Sequence, residues 1–248
     1  MLKVLILGAT GRVGPGFIEE YKKKYSKSYK LIIGIHKHST ESGFEERQVD
    51  LTDINGLKKA FSGVDVIVNL AGQSDPLAKF EDLIEPNIIG ARNVFEAALQ
   101  AGVKRVVYAS SVHAIKGYPL DYEVKGSDIP KPLNDYGATK AYGEALCHVY
   151  SSKGLSCIAV RVGAYTSDEL MKKVCFERKS YEYVITQRDF AQLISKCILA
   201  GFDLKHAILS GISNNKKKSM DIKEAKKLVG YAPEDDVFEI CERVKKDK

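Results

Sequence analysis

The chain has 248 residues, 44% hydrophobic and 28% charged, and carries 38 basic against 32 acidic side chains for a net charge of +6. That is ordinary globular composition, enough for one sizeable core with at most a small appendage at roughly 150 residues per domain. The basic excess sits in short runs (Lys22–Lys24, Lys216–Lys218, Lys245–Lys246) that read as solvated faces, so nothing marks a nucleic-acid partner.

No apolar run approaches the roughly 18 residues that a membrane span needs, and the start at Met1 reads as a strand rather than a signal peptide. The five cysteines (Cys147, Cys157, Cys175, Cys197, Cys241) are odd in number and have no Cys-x-x-Cys spacing. This pattern predicts no disulfide framework and no metal site, and points to a reducing, cytoplasmic setting.

In chain order, Leu2–Leu7 is a continuous apolar run, as expected of a strand buried on both faces of a parallel sheet. Arg12–Tyr25 reads as a helix, Leu31–Ile35 and Phe44–Val49 as strands, Ile54–Phe61 as a helix and Val64–Leu70 as a strand. Pro76–Ala101 has helical spacing and ends at Gly102; Val103–Ala109 follows as a strand, Leu133–Ser152 as a helix and Leu155–Val162 as a strand.

This alternation predicts an α/β fold: a Rossmann-type, doubly wound parallel sheet with right-handed crossovers. After Gly163 the rhythm loosens, with a helix over Asp189–Leu199, a strand over His206–Leu209 and a helix over Ile222–Leu228. The expected organisation is a dinucleotide-binding unit over 1–163 and a small substrate-binding portion over 164–248, packed on the first.

The first strand runs into Gly8-Ala9-Thr10-Gly11-Arg12-Val13-Gly14. Gly8 allows the tight turn, Gly11 lets backbone approach a pyrophosphate, and Gly14 lets helix and strand pack closely. The helix start then presents free N–H groups and a partial positive charge to phosphate, with Thr10, Arg12 and Val13 in the turn.

The second strand ends in Ile35-His36-Lys37-His38, with no acid to bind ribose hydroxyls. His36 and Lys37 therefore favour NADP, with NAD as the alternative. Of Asp50 and Asp53, Asp53 reads as a helix N-cap and Asp50 as the residue at the adenine end.

Tyr136 and Lys140 are four apart on one helix and share a face. An ammonium beside a phenol favours the phenolate, which predicts a lowered Tyr136 pKa and a usable general base. Ser110 and Ser111 end a strand at the carboxyl edge of the sheet, where ligands of such folds bind.

Together, the glycine turn, Asn69-Leu-Ala-Gly72, Asn87-Ile-Ile-Gly-Ala-Arg-Asn93, Ala109-Ser-Ser111 and Tyr136-Gly-Ala-Thr-Lys140 resemble the extended short-chain dehydrogenase/reductase family. The resemblance implies catalytic Ser111, Tyr136 and Lys140, with Asn87 in support. It also implies a dinucleotide bordered by Leu51, Leu70, Ala71, Gly72 and Val162, with Lys140 on the nicotinamide ribose.

Arg105–Ile115, Gln73-Ser74 and Arg161–Gly163 are similar to the uronate dehydrogenase-like sugar dehydrogenases of that family. The chain departs from that branch at Val112, where it has Asn, and at Ala164, where it has Ser; Arg178 and Lys179 lie in the region of its carboxylate-binding Arg. What is implied is redox chemistry on a sugar, sugar acid or polyol, with Ser74, Val112 and Arg178 near the substrate.

A nucleotide-sugar epimerase and a non-catalytic dinucleotide sensor are the alternative readings. Surplus apolar side chains over Asn87–Ala101 and Ala141–Tyr150 predict a homodimer.

Overall fold

The computed structural model describes residues 1–36, 39–40, 43–119, 121–178 and 180–246; Lys37 and Lys179 lie outside the described residues. β1 (Leu2–Leu7), α1 (Gly14–Glu20), β2 (Tyr29–Ile35), β3 (Glu45–Gln48), α2 (Ile54–Phe61) and β4 (Val66–Asn69) form the first half of the winding. α3 (Phe80–Leu83), α4 (Gly90–Gln100), β5 (Arg105–Ser111), α5 (Asp135–Ser151) and β6 (Ser156–Val162) continue it. Then come β7 (Ala164–Thr166), α6 (Asp168–Glu177), β8 (Val184–Thr186), α7 (Gln187–Leu199), β9 (His206–Gly211), α8 (Lys223–Val229) and α9 (Val237–Lys246).

The central sheet has the order β3-β2-β1-β4-β5-β6-β9, and every pairing in it is parallel. Winding outward from β1 to β3 and returning to β4 beside β1 opens a crevice at the carboxyl ends of β1 and β4, the place where such sheets bind ligands. One apolar core joins the sheet to α1, α7 and α8 through Phe17, Phe190, Leu193 and Ala225. The other joins it to α2, α4 and α5 through Leu57, Phe95 and Leu146. Buried β1 and β4 residues such as Leu5 and Ile67 face the second core, and Val4 and Val68 the first. Cores on both faces are why these strands read as unbroken apolar runs.

The predicted helix over Pro76–Ala101 is three pieces. α3 passes into a wide π-helical turn over Ile84–Ile89 before α4 begins. Pro86 sits inside that turn; lacking an N–H, it interrupts a regular helical ladder. α1 likewise ends in a π-helical turn over Tyr21–Tyr25.

β7, α6, β8 and α9 are four elements that the sequence pattern does not signal. β7 and β8 are three residues each and pair in parallel as a separate small sheet. α6 and α9 close a minor core of Tyr181, Val184, Val237 and the two cysteines between them. That packing corrects the expectation about cysteines: Cys175 on α6 and Cys241 on α9 form a disulfide across 66 residues, whereas Cys147, Cys157 and Cys197 are free and buried. Sequence spacing carries no trace of the pairing because it depends on α9 folding back onto α6.

Among the described residues, no helix is long and apolar enough to cross a membrane.

Candidate functional site

Gly8 leaves β1 at φ 79°, a left-handed conformation, and a Cβ there would fall 2.7 Å from the Ala71 nitrogen. Only glycine fits that turn. A Cβ on Gly14 would lie 2.2 Å from the Ala9 carbonyl oxygen, so this glycine serves helix–strand packing. Gly11 closes the turn through its N–H to the Gly8 carbonyl at 3.0 Å, and a Cβ there would meet only that oxygen, at 3.2 Å. α1 starts after Val13 with no side-chain cap, which leaves its first amides and the positive end of its dipole to the crevice.

Two hollows meet at Gly72. One, of about 300 Å³, is lined by Gly11, Arg12 and Val13 from the turn together with Ser111, Tyr136 and Lys140. Leu70, Ser74, Val112, Val162 and Arg178 border it too. The other, of about 720 Å³, contains Gly8, Thr10, His36, Asp50, Leu51 and Ala71. A backbone-lined turn between two adjoining hollows fits a dinucleotide, with one half in each.

Most of the expected site residues therefore converge. Gly14 lines neither hollow, and Lys37 is not described. Asp53 caps α2, accepting the Asn55 N–H at 3.0 Å. Asp50 accepts from the Thr52 N–H and hydroxyl at 2.8 and 2.7 Å, which holds its carboxyl below the usual range, and stands 3.8 Å from His36 Nε2.

Asn87 is buried but does not line the cavity. Its amide donates to the Gln73 carbonyl at 3.0 Å and to Thr139 Oγ1 at 3.1 Å, and its oxygen accepts the Gln73 N–H at 2.8 Å. It thereby ties the loop after β4 to α5, one turn from Tyr136.

α5 starts at an Asn134 cap whose side-chain oxygen accepts the Gly137 N–H at 2.8 Å. Tyr136 and Lys140 are each 7% exposed on this helix. Lys140 Nζ donates to the Ala109 carbonyl at 3.0 Å and lies 5.6 Å from the Tyr136 ring centroid. Burial pulls the Lys140 pKa down from 10.5 to about 8.

Burial also raises the Tyr136 pKa, against the opposing influence of a Ser111 hydrogen bond and the Arg12 charge. The expectation of a lowered Tyr136 pKa is corrected in this state: removing the phenol from water disfavours its anion more than nearby groups favour it. Ser111 also accepts the His113 N–H at 3.2 Å, opening a short 3-10 turn over Val112–Ile115.

Beneath the site, Ser110 donates to Glu144 at 2.6 Å, and Arg161 donates to both Glu144 oxygens at 2.9 Å. This buried group fixes β5, β6 and α5 relative to one another, so Ser110 is structural. His113 packs edge-on to Tyr136, 5.5 Å between centroids, and burial lowers its pKa.

Sequence reasoning missed Lys116, Tyr165 and Tyr183, all lining the cavity. Lys116 had a signal, since it stands three residues beyond His113 across the 3-10 turn, a spacing that eclipses side chains. The tyrosines sit on β7 and just before β8 and had none.

The fold and the site together define a dinucleotide-binding α/β protein with a serine, a tyrosine and a lysine gathered at the inner end of its crevice. The chain belongs to the NAD dependent epimerase/dehydratase family, whose model matches residues 4–187. It is 30% identical to an NAD-dependent glucose-6-phosphate dehydrogenase of Haloferax volcanii, over 95% of this chain and 94% of that one. It is 29% identical to an L-arabinose 1-dehydrogenase (NAD(P)(+)) of the same organism, over 98% of this chain and all of that one. Its fold is similar to a uronate dehydrogenase of Agrobacterium tumefaciens solved as a mutant complexed with NAD. The TM-score is 0.83 at 27% identity, over 100% of this chain and 90% of that one.

Proposed function

We propose that the chain is an NAD(P)-dependent oxidoreductase that transfers a hydride between the nicotinamide and a hydroxyl or carbonyl carbon of a sugar, sugar acid or similar polyol. The observation that carries this reading is the convergence of Ser111, Tyr136 and Lys140 in the cavity that Gly11, Arg12 and Val13 also line. The relatives named above are sugar dehydrogenases, and they support the substrate class.

Gly8, Thr10, Gly11, Arg12 and Val13 would hold the pyrophosphate and its flanks. Asp50, Leu51 and Ala71 would take the adenosine half, with Leu70, Gly72 and Val162 beside the nicotinamide half. When bound, the nicotinamide accepts or gives the hydride.

Ser111 donates a hydrogen bond to the substrate oxygen, and Tyr136 takes or returns the proton of that oxygen. Lys140 stands close enough to keep positive charge beside the phenol, offsetting the burial that otherwise holds its proton on. Asn87 is a positioning residue: it fixes the loop after β4 against α5. Residues 164–248 supply the substrate side through Arg178.

The His36-Lys37 stretch supports use of NADP alongside NAD, with NADP preferred. The exposed Ile84 and Ile89 in the π-helical turn before α4, and Val149 on α5, support pairing of two copies along this face, although Val94 and Leu146 are spent in the chain's own core. The cytoplasm is the proposed setting, and the Cys175–Cys241 disulfide withdraws the cysteine pattern as an argument for it.

The test is a panel of aldoses, uronates, sugar phosphates and nucleotide sugars with NAD and with NADP, following absorbance of the reduced nicotinamide. Accumulation of reduced cofactor with an aldose or its derivative is expected. Isomerisation of a nucleotide sugar with no net reduction would replace this reading by an epimerase. Higher kcat/KM with NAD would reject the NADP preference, and light scattering at the mass of one chain, 27.4 kDa, would reject the dimer.

A further inference from the structure

The charge of the cavity is one-sided. Arg12, Lys116, Lys140 and Arg178 line it, and no aspartate or glutamate does. Lys140 is turned to the Ala109 carbonyl at the inner end. Lys116 and Arg178 reach the same cavity from two separate elements. Lys116 follows the 3-10 turn that begins at Ser111, and Arg178 is the residue at which α6 ends.

Among the described residues neither has an ion-pair partner. The half-buried Lys116 ammonium lies 4.0 Å from the centre of the Tyr183 ring, a contact that holds a cation in place without neutralising it. Burial lowers the Lys116 pKa and the charge of Arg178 adds to that; burial and the charge of Arg12 do the same to Arg178.

Gathering like charges around one cavity costs free energy in the empty protein. A substrate anion that enters relieves it. A single carboxylate compensates one of the two cations, and a phosphate monoester, close to two negative charges at neutral pH, compensates both. The guanidinium offers a planar fork to two phosphate oxygens and the ammonium a compact point charge to a third.

Resting on the oxidoreductase reading, we propose that Lys116 and Arg178 form an anion subsite that selects a phosphorylated sugar, with the phosphate monoester bound between them and the reacting carbon at Ser111 and Tyr136. Lys116 and Arg178 contact substrate away from the reacting atoms, so their contribution falls on KM and on the choice between substrates.

The experiment compares one aldose, its uronate and its terminal phosphate ester, in native protein and in Lys116→Gln and Arg178→Gln variants, with calorimetric binding of the phosphate ester to the NAD-loaded protein alongside. The native protein is expected to favour the ester over both other forms in kcat/KM. Each variant should lose ~10–100-fold of that preference, the range that one hydrogen bond to a charged group supports, through KM rather than kcat. Binding of the ester should weaken by the same factor.

A native protein that turns over the free aldose or the uronate as well as the ester overturns the subsite and leaves the oxidoreductase reading standing. Ester binding that both variants weaken, with no reduction of NAD or NADP by any sugar, keeps the subsite and overturns the oxidoreductase reading. Variants that lower kcat for all three sugars alike, with folding intact by circular dichroism, also overturn the subsite.

Discussion

Replacing Lys140 by Met should stabilise the protein while abolishing its activity. Lys140 is a nearly fully buried cation with no carboxylate partner among the described residues. Its protein contacts are the Ala109 carbonyl at 3.0 Å and the flanking rings of Tyr108 and Tyr136. The fall in its pKa from 10.5 to about 8 corresponds to about 3 kcal/mol of destabilisation at neutral pH, each pH unit being worth about 1.4 kcal/mol. Met has a similar shape and no charge. It forfeits the hydrogen bond to Ala109, worth about 1 kcal/mol, so a net gain of about 2 kcal/mol is expected at pH 7.

The pH dependence fixes the sign. Below about pH 8 the lysine is charged both folded and unfolded, and the burial cost is fully present. Between about 8 and 10.5 the folded protein has lost the proton that the unfolded chain retains, so native stability rises with pH relative to the variant. Above 10.5 both states are neutral and the variant keeps only its lost hydrogen bond. Urea unfolding of the cofactor-free proteins at pH 7 and pH 10, beside assays of turnover, measures this. A Met variant less stable than native at pH 7, or an advantage that does not shrink toward pH 10, would refute the reasoning.

Tyr136→Phe keeps the buried ring and removes the proton carrier, so turnover should fall by roughly 10²–10⁴-fold with dinucleotide affinity within about threefold of native by fluorescence titration; retention of half the native rate would exclude the role. Gly11→Val puts a Cβ 3.2 Å from the Gly8 carbonyl oxygen and two methyl groups into the crevice, so dinucleotide binding should be lost from a folded protein, and unchanged affinity would place the cradle elsewhere. Cys241→Ala opens a disulfide spanning 66 residues; chain entropy sets the loss at up to about 4 kcal/mol in an unfolding titration, and a variant as stable as the oxidised protein would show that the bond contributes nothing.

The winding of the first 162 residues was written in the sequence because β1, β2, β4, β5 and β6 are buried on both faces and the helices on one, so period separates them; the edge strand β3, with no buried residue, gave the weakest signal. The glycine turn was legible for the same kind of reason: Gly8 and Gly14 meet backbone at distances that admit no side chain, and that demand acts locally. Tyr136 and Lys140 could be paired because four residues bring two side chains to one face of any helix.

What only the tertiary structure decided depends on burial and on long-range return of the chain. The Tyr136 pKa follows from the loss of water around the phenol, which the identity of its neighbours does not reveal, and its direction was the reverse of the local expectation. Asn87 turned out to face Gln73 and Thr139 from within the π-helical turn that also holds Pro86. The Cys175–Cys241 bond, and the arrival of Tyr183 and Arg178 beside Lys116 in one cavity with no acid among its lining residues, come from α6, the three-residue strands β7 and β8, and α9. Those elements are held by packing against distant parts of the chain, and no period in the sequence announces them.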